Sequence, residues 1–299
     1  MKTNFLLIIL VILHGLFSVG ALYGGVAYGK PGDSLEVSLL PEGRNLMGFR
    51  GNVKEGKIGV VLNPTNSNLK VDVGSSIDLV KFSFDNSTVT LGIDFLAYAL
   101  STNTENLRLQ IDAIDGLFGG NVTYVYGKNN YKLFSRFRFM HNSAHLVDGN
   151  YLTNSIASDW IKPGGPTPFT RDFIEVFLGM TSKIAAFNSR AYVGFEYATH
   201  YRPDEQVRLF LNGGMEYFYQ GDSWTLFGSD LNIFLSYFGQ MNGIEDYNLA
   251  HHIQGGVKIG KWDQKGVSFF VSYYDGNDFF NQYYLLKVSR FGIGFEVET

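Results

Sequence analysis

From residue 57 onward the chain alternates apolar and polar positions. In TVTLGIDFLAYAL, Val89, Leu91, Ile93, Phe95 and Ala97 share one parity and Thr88, Thr90, Gly92, Asp94 and Tyr98 the other. VRLFLNGGMEYFYQ sets Val207, Leu209, Leu211, Met215 and Tyr217 against Arg208, Asn212, Glu216 and Gln220. The closing RFGIGFEVET opposes Phe291, Ile293, Phe295 and Val297 to Arg290, Gly292, Gly294, Glu296 and Glu298. Successive side chains of a strand point to opposite faces, so each run reads as a strand with one apolar and one polar face. No run beyond the first two dozen residues sustains a helical period.

Turn-rich stretches divide the pattern into twelve predicted strands, at 57–62, 69–84, 88–100, 107–126, 131–145, 172–181, 190–201, 206–220, 224–238, 247–260, 267–274 and 287–298. All 7 prolines fall outside them, as ladder pairing requires. Two strands are overlong and change parity near Gly74 and Gly116, which predicts glycine bulges there. Splitting those strands would raise the count to fourteen, so the range is 10–14.

Composition turns this pattern into a membrane protein. Aromatics make up 16% of the residues and charged residues only 17%, below the ~25% usual for soluble domains, with 35 glycines. The fold expected is all-β, a transmembrane antiparallel β-barrel of about 12 strands. With both termini periplasmic, the inner turns are DNS, GKNN, TSKIAAFN, GDS and KWDQKG. The longest connections, 146–171 and 275–286, then lie on the outer side, as in bacterial outer-membrane barrels; RPDE at 202–205 is a short outer connection. A soluble secreted β-sandwich is the competing fold.

The first residues, MKTNFLLIILVILHGLFSVG, have a lysine before an apolar run that ends in small residues, the pattern of a cleaved secretory signal peptide. The organisation expected is therefore a signal peptide at 1–21, an N-terminal segment at 22–56 and a barrel at 57–299. The segment 22–56 lacks the strand pattern and reads as a periplasmic extension, a lumen plug or an extra hairpin. With no cysteine, the exported chain has no disulfide framework. Localisation in a bacterial outer membrane follows, with membrane lipids and the barrel-assembly machinery as partners. A net charge of -4 and the lack of any basic run exclude nucleic acid as a partner.

The inward faces combine Lys132, Arg136, Arg138 and Arg208 with Asp94, Glu196 and Glu216, among Phe210, Phe218, Phe234 and Phe270. Charges of both signs among aromatics predict an interior filled by side chains and ion pairs, since buried charges persist when paired. A wide diffusion pore is disfavoured, because open channels need about 16 strands.

One polar cluster stands out. In YKLFSRFRFMHNSAH, the parity that turns Arg136 and Arg138 inward carries His141, Ser143 and His145 to the outer wall, where the strand meets the longest loop. Histidine and serine two apart on one face can serve as base and nucleophile for ester hydrolysis, and at a membrane interface the natural ester is a lipid. Candidate groups to orient His141 are Asp148 and Asn150 in the loop and Asp172 at the start of the next strand; Glu175 faces the lumen and ranks lower. Ordinary rim polarity that anchors the loop is the leading reading. A bulge near Met140 would turn the cluster inward, and a metal reading through His141, His145 and Asp148 needs the chain to turn between the histidines.

The runs IDAIDGLFGGNVTYVYGKNNYKLFSRFRFMHNSAHLVDGNY, TRDFIEVFLGM and DGNDFFNQYYLLKVSRFGIGFEV resemble a family of bacterial outer-membrane β-barrel proteins of unassigned function. The likeness covers about 70–299 and is most specific at 141–148. Its members carry His-x-Ser-Ser-His-Leu-Gly-Asp, and Ala144 and Val147 replace the second serine and the glycine here. The resemblance implies a barrel and no reaction. Locally, His141 and Ser143 also resemble the His-x-Ser element of outer-membrane phospholipase A and lipid A deacylase, with Ala144 where those families have asparagine.

Three functional classes follow. The chain is a barrel of structural role or one binding a surface ligand through the loop 146–171, where Trp160 lies beside Pro163, Gly164, Gly165 and Pro166. Alternatively it is an interfacial lipid ester hydrolase using Ser143 and His141, or a narrow transport channel. No cofactor is expected, and calcium only if the likeness to the phospholipase extends to its mechanism.

Overall fold

The computed structural model describes residues 35–298 apart from 105–107, 129, 146, 148–150, 153–158, 161–163, 203–206, 222–223 and 244–245. The predicted signal peptide lies outside the described residues. Twelve long strands form the wall: β1 (Ile58–Asn63), β2 (Asn68–Phe84), β3 (Ser87–Thr104), β4 (Arg108–Lys128), β5 (Tyr131–His145), β6 (Phe169–Ile184), β7 (Phe187–Arg202), β8 (Leu209–Tyr219), β9 (Ser229–Gly243), β10 (Tyr247–Ile259), β11 (Gly266–Asn277) and β12 (Lys287–Glu298). Each pairs antiparallel with its sequence neighbour, and β12 closes the ring on β1 with Phe295 opposite Val60. Closure removes every sheet edge, the condition for strands to cross a bilayer.

The alternation sorts as expected. Leu91, Ile93 and Phe95 are 42–56% exposed, whereas Asp94 between them is 5% exposed. An apolar outer face over a polar lumen is the signature of a transmembrane barrel. Among the described residues no helix is long and apolar enough to cross a membrane.

Three details depart from the sequence expectation. The bulges fall at Leu79 and Asp112, where the register skips a residue, and not at Gly74 and Gly116. Gly74 instead serves close strand approach, since a Cβ there would lie 2.4 Å from the Phe95 carbonyl oxygen. A further bulge occurs at Thr199 on β7. β9 begins at Ser229 because a turn at Phe227 and Gly228 folds Thr225–Leu226 back onto Ser229 and Asp230. Lys132 and Arg208 are exposed rim residues, with Lys132 paired to Asp263 and Arg208 over the Tyr201 ring.

The core lies inside the ring. Residues 41–57 have no long regular element and run through the lumen as a plug, with Phe49 fully buried, stacked on Tyr192 at 4.0 Å and edge-on to Phe177. The plug is tied to the wall by charge. Glu55 receives two hydrogen bonds from Arg136, at 2.8 and 2.6 Å, and Arg138 grips Glu175 through two more at 2.7 and 2.6 Å. Lys54 meets Glu196 at 2.6 Å, and Arg50 meets Glu296 at 2.9 Å. From the wall, Arg190 donates to the carbonyls of Met47 and Gly48. Each of these charges has a partner of opposite sign, which offsets the desolvation that burial imposes.

The loop 278–286 folds inward as a cap at the end of the barrel that carries the longer connections, the loop end. Phe280, Tyr283 and Tyr284 are at most 2% exposed, and Asp278 holds Arg290 at 2.6 Å. Plug and cap leave cavities of about 40 and 30 Å³, room for single small molecules such as water.

Glu55→Ala should lower barrel stability by about 3–5 kcal/mol, because Arg136 loses its bidentate partner in a buried site. Asp263→Ala, which breaks only the exposed pair with Lys132, should cost less than about 1 kcal/mol. Urea unfolding followed by heat-modifiable gel migration measures both, and equal costs would refute an ion-paired lumen.

Candidate functional site

β5 presents Leu133, Ser135, Phe137 and Phe139 outward, then His141, Ser143 and His145 on the same parity. Met140 and Asn142 turn into the lumen at 1% and 0% exposure. The register with β4 and β6 runs unbroken from Tyr131 to Ala144, so no bulge re-aims the cluster. His141 and Ser143 therefore lie on the outer wall, half-buried against neighbouring strands.

Cross-strand pairing supplies their surroundings. Asp172 of β6 stands directly opposite His141, with Oδ1 2.7 Å from His141 Nδ1. On the other side Phe118 of β4 lies against the imidazole, the ring centroids 4.9 Å apart. One step toward the loop end, Ser143 has Gly116 opposite it on β4, where a Cβ would meet nothing within 4 Å. The missing side chain leaves an open notch beside the serine. Ser143 Oγ lies 3.0 Å from His145 Nε2.

The bulge at Thr199 adds a third histidine. It shifts the register so that His200 faces Asp172, with Nδ1 4.0 Å from Oδ2, while the Thr199 hydroxyl donates to the Asp172 carbonyl at 3.1 Å. Asp172 thus sits between histidines on both neighbouring strands.

Of the residues singled out from sequence, the structure joins His141 to Asp172 and Ser143 to His145, and the hydroxyl is not paired with His141. Asp148 and Asn150 lie outside the described residues. Glu175 faces the lumen and is held by Arg138 and Arg136. Sequence reasoning did not pair His145 with Ser143, although its parity carried that signal. His200 gave no signal, because only the bulge brings it opposite Asp172. Among the described residues no group of three ligating side chains could hold a metal ion.

Polar residues continue around the wall toward the loop end. Tyr237 and His251 share a hydrogen bond at 2.9 Å, and Ser289 donates to Asp275, which stands opposite His251. Such a rim suits the headgroup level of a bilayer. What sets the β5 patch apart is a serine bonded to one histidine beside a second histidine bonded to a carboxylate.

No family model and no curated protein matches the chain. Among solved structures, the outer membrane phospholipase A from Escherichia coli superposes with a TM-score of 0.48 at 10% identity, covering 82% of this chain and 92% of that one. The β-domain of the Bordetella autotransporter BrkA gives 0.44 at 11% identity, covering 82% and 99%. The Pseudomonas putida toluene transporter TodX gives 0.41 at 12%, covering 78% and 69%. Likeness of this grade carries no chemistry across.

The depth of the patch is testable by placing arginine on the wall. Val193→Arg, on the mid-strand outer face of β7, should cost about 2–4 kcal/mol, and Ser143→Arg only about 0–1 kcal/mol. Reversible unfolding in lipid vesicles measures both, and similar costs would put Ser143 in the hydrocarbon rather than at the headgroups.

Proposed function

We propose that this barrel resides in a bacterial outer membrane with its loop end outward and hydrolyses acyl esters of outer-leaflet lipids at Ser143. One observation carries the reading: Ser143 is flanked at two-residue spacing by histidines on its own outward face, and one of them, His141, is held by Asp172 at 2.7 Å. Nucleophilic ester hydrolysis calls for a hydroxyl, a base within its reach and a group that orients the base.

His141 is assigned as the base because a carboxylate fixes its Nδ1, which leaves Nε2 for the serine hydroxyl. In the resting arrangement the hydroxyl rests on His145. A change of serine rotamer, cheap and fast for an unbranched side chain at a partly open site, swings it to His141 as the ester enters the Gly116 notch. Oγ then forms a bond to the carbonyl carbon while its proton passes to His141 Nε2. Collapse of the tetrahedral intermediate breaks the bond to the lipid alcohol, which leaves with that proton. Water next attacks the acyl-serine through the same base and releases the fatty acid.

The lumen supports this division of labour. Its paired charges and inward cap favour a closed barrel over a narrow channel, which leaves the outer wall as the working surface. The lipid is then both solvent and substrate.

Purified barrel in mixed phospholipid micelles should release fatty acid, with kcat falling at least ~10³-fold in Ser143→Ala and ~10²-fold or more in His141→Ala and Asp172→Asn. His145→Ala should cost less than about tenfold. Undiminished turnover in Ser143→Ala would end the hydrolase reading, and a reversed order of His141 and His145 would move the base to His145.

A further inference from the structure

The wall behind the patch is bonded from the lumen to the cap loop. Between His141 and Ser143 the chain turns Asn142 into the lumen, fully buried. Its Nδ2 donates at 3.2 Å to the carbonyl of Gly116, the residue that forms the notch opposite Ser143. Its Oδ1 accepts at 2.8 Å from Asn281 Nδ2, in the cap loop, which reaches it across the lumen from between β11 and β12. The second Nδ2 hydrogen of Asn281 goes to Asp115, next to Gly116, at 2.7 Å, and its backbone N–H points to the same carboxylate at 3.3 Å.

The remaining cap contacts converge on the same wall. Gln282 Nε2 donates to the Asp112 carbonyl at 2.9 Å, and the Tyr98 hydroxyl donates to the Phe279 carbonyl at 3.1 Å. Phe280 and Tyr283 pack in one buried cluster with Leu117 and Met140, the inward residues next to Gly116 and His141. The cap is itself anchored by the Asp278 to Arg290 pair and by the Thr167 N–H donating to the Gln282 carbonyl at 2.8 Å.

We infer that Asn142 is a positioning residue: through Asn281 and Asp115 it braces β4 and β5 from the lumen, fixing the separation of Gly116 from Ser143 and the aim of His141 on the other side of the wall. Strand ends fray, and Ser143 lies two residues from the end of β5. A lumenal brace holds those last residues without occupying the outer face where the lipid binds. Asn suits the role because one planar group both accepts from the cap and donates to the notch carbonyl. The catalytic consequence rests on the ester hydrolase reading; the brace itself does not.

Two measurements on Asn142→Ala and Asn281→Ala separate these parts. Hydrogen exchange in micelles should quicken about tenfold or more at the amides of 141–145 and 115–118, while those of β9 and β10 keep wild-type rates. Ser143-dependent turnover should fall about 10- to 100-fold in kcat with KM within about twofold, and the double variant should be no slower than Asn142→Ala. Should Asn142→Ala fail to form a heat-modifiable barrel, Asn281→Ala, a change confined to the cap, carries both measurements. Unchanged exchange at 141–145, or exchange raised equally in every strand, overturns the brace. Quickened exchange with wild-type kcat overturns its catalytic role. If turnover survives Ser143→Ala, the hydrolase reading falls, and the exchange result alone decides the brace.

Discussion

Glu55 and the arginines it meets set the terms for the rest of the barrel. Arg136 and Arg138 are placed inward by strand alternation, fully out of water, and the wall offers them one carboxylate, Glu175. A second must come from inside the ring, and the chain's own segment 41–57 supplies it. Two cations against one anion in a dry lumen would cost several kcal/mol, so closure of the wall and insertion of the plug are coupled. Lys54 with Glu196 and Arg50 with Glu296 repeat the same logic on other strands. The result inverts a soluble protein, with apolar residues outside and a charged, aromatic core within.

The strand pattern was legible because one physical rule, apolar to lipid and polar to lumen, acts on every residue of the wall. The twelve strands and their order follow from it, and so do their faces, apart from Lys132 and Arg208 at the rim. The plug was only one of three readings of 22–56, because a segment surrounded by wall on every side has no periodic face; its charges gain meaning only when counted against inward residues such as Arg136, to which Glu55 supplies the bidentate partner. The bulges at Leu79, Asp112 and Thr199 also escaped, since glycine marks places where backbones approach as often as places where pairing slips.

The same contrast holds at the candidate site. Parity alone gave the face of His141, Ser143 and Asp172 and left Asp172 as one of three candidates to orient His141; the register of β5 with β6 pairs the two. Which histidine holds Ser143 is a rotamer choice, because His141 and His145 stand two residues to either side of it. Sequence spacing is symmetric there, and only side-chain packing breaks the tie. The Phe118 ring and the Asp172 carboxylate hold His141, while the serine hydroxyl turns to His145.

For the proposed acyl chemistry a barrel wall is an awkward place, and the position of the patch bears on that difficulty. Along a strand the backbone N–H groups are committed to the ladder, so they cannot meet charge that develops on an ester oxygen. Donors become free only where pairing stops or slips. Ser143 lies one residue before the last pair of β5 with β6, and bulges interrupt the next ladders out, β3 with β4 at Asp112 and β6 with β7 at Thr199. A nucleophile placed mid-strand would have the rigidity of the wall but no such donors; one placed in a long loop would have donors without rigidity. The end of β5, stiffened from the lumen by Asn142 and the cap, combines the two. Under the proposed hydrolase reading the filled lumen and the outer-wall chemistry would form one design, since the interior side chains that fill the barrel would also hold the serine in place.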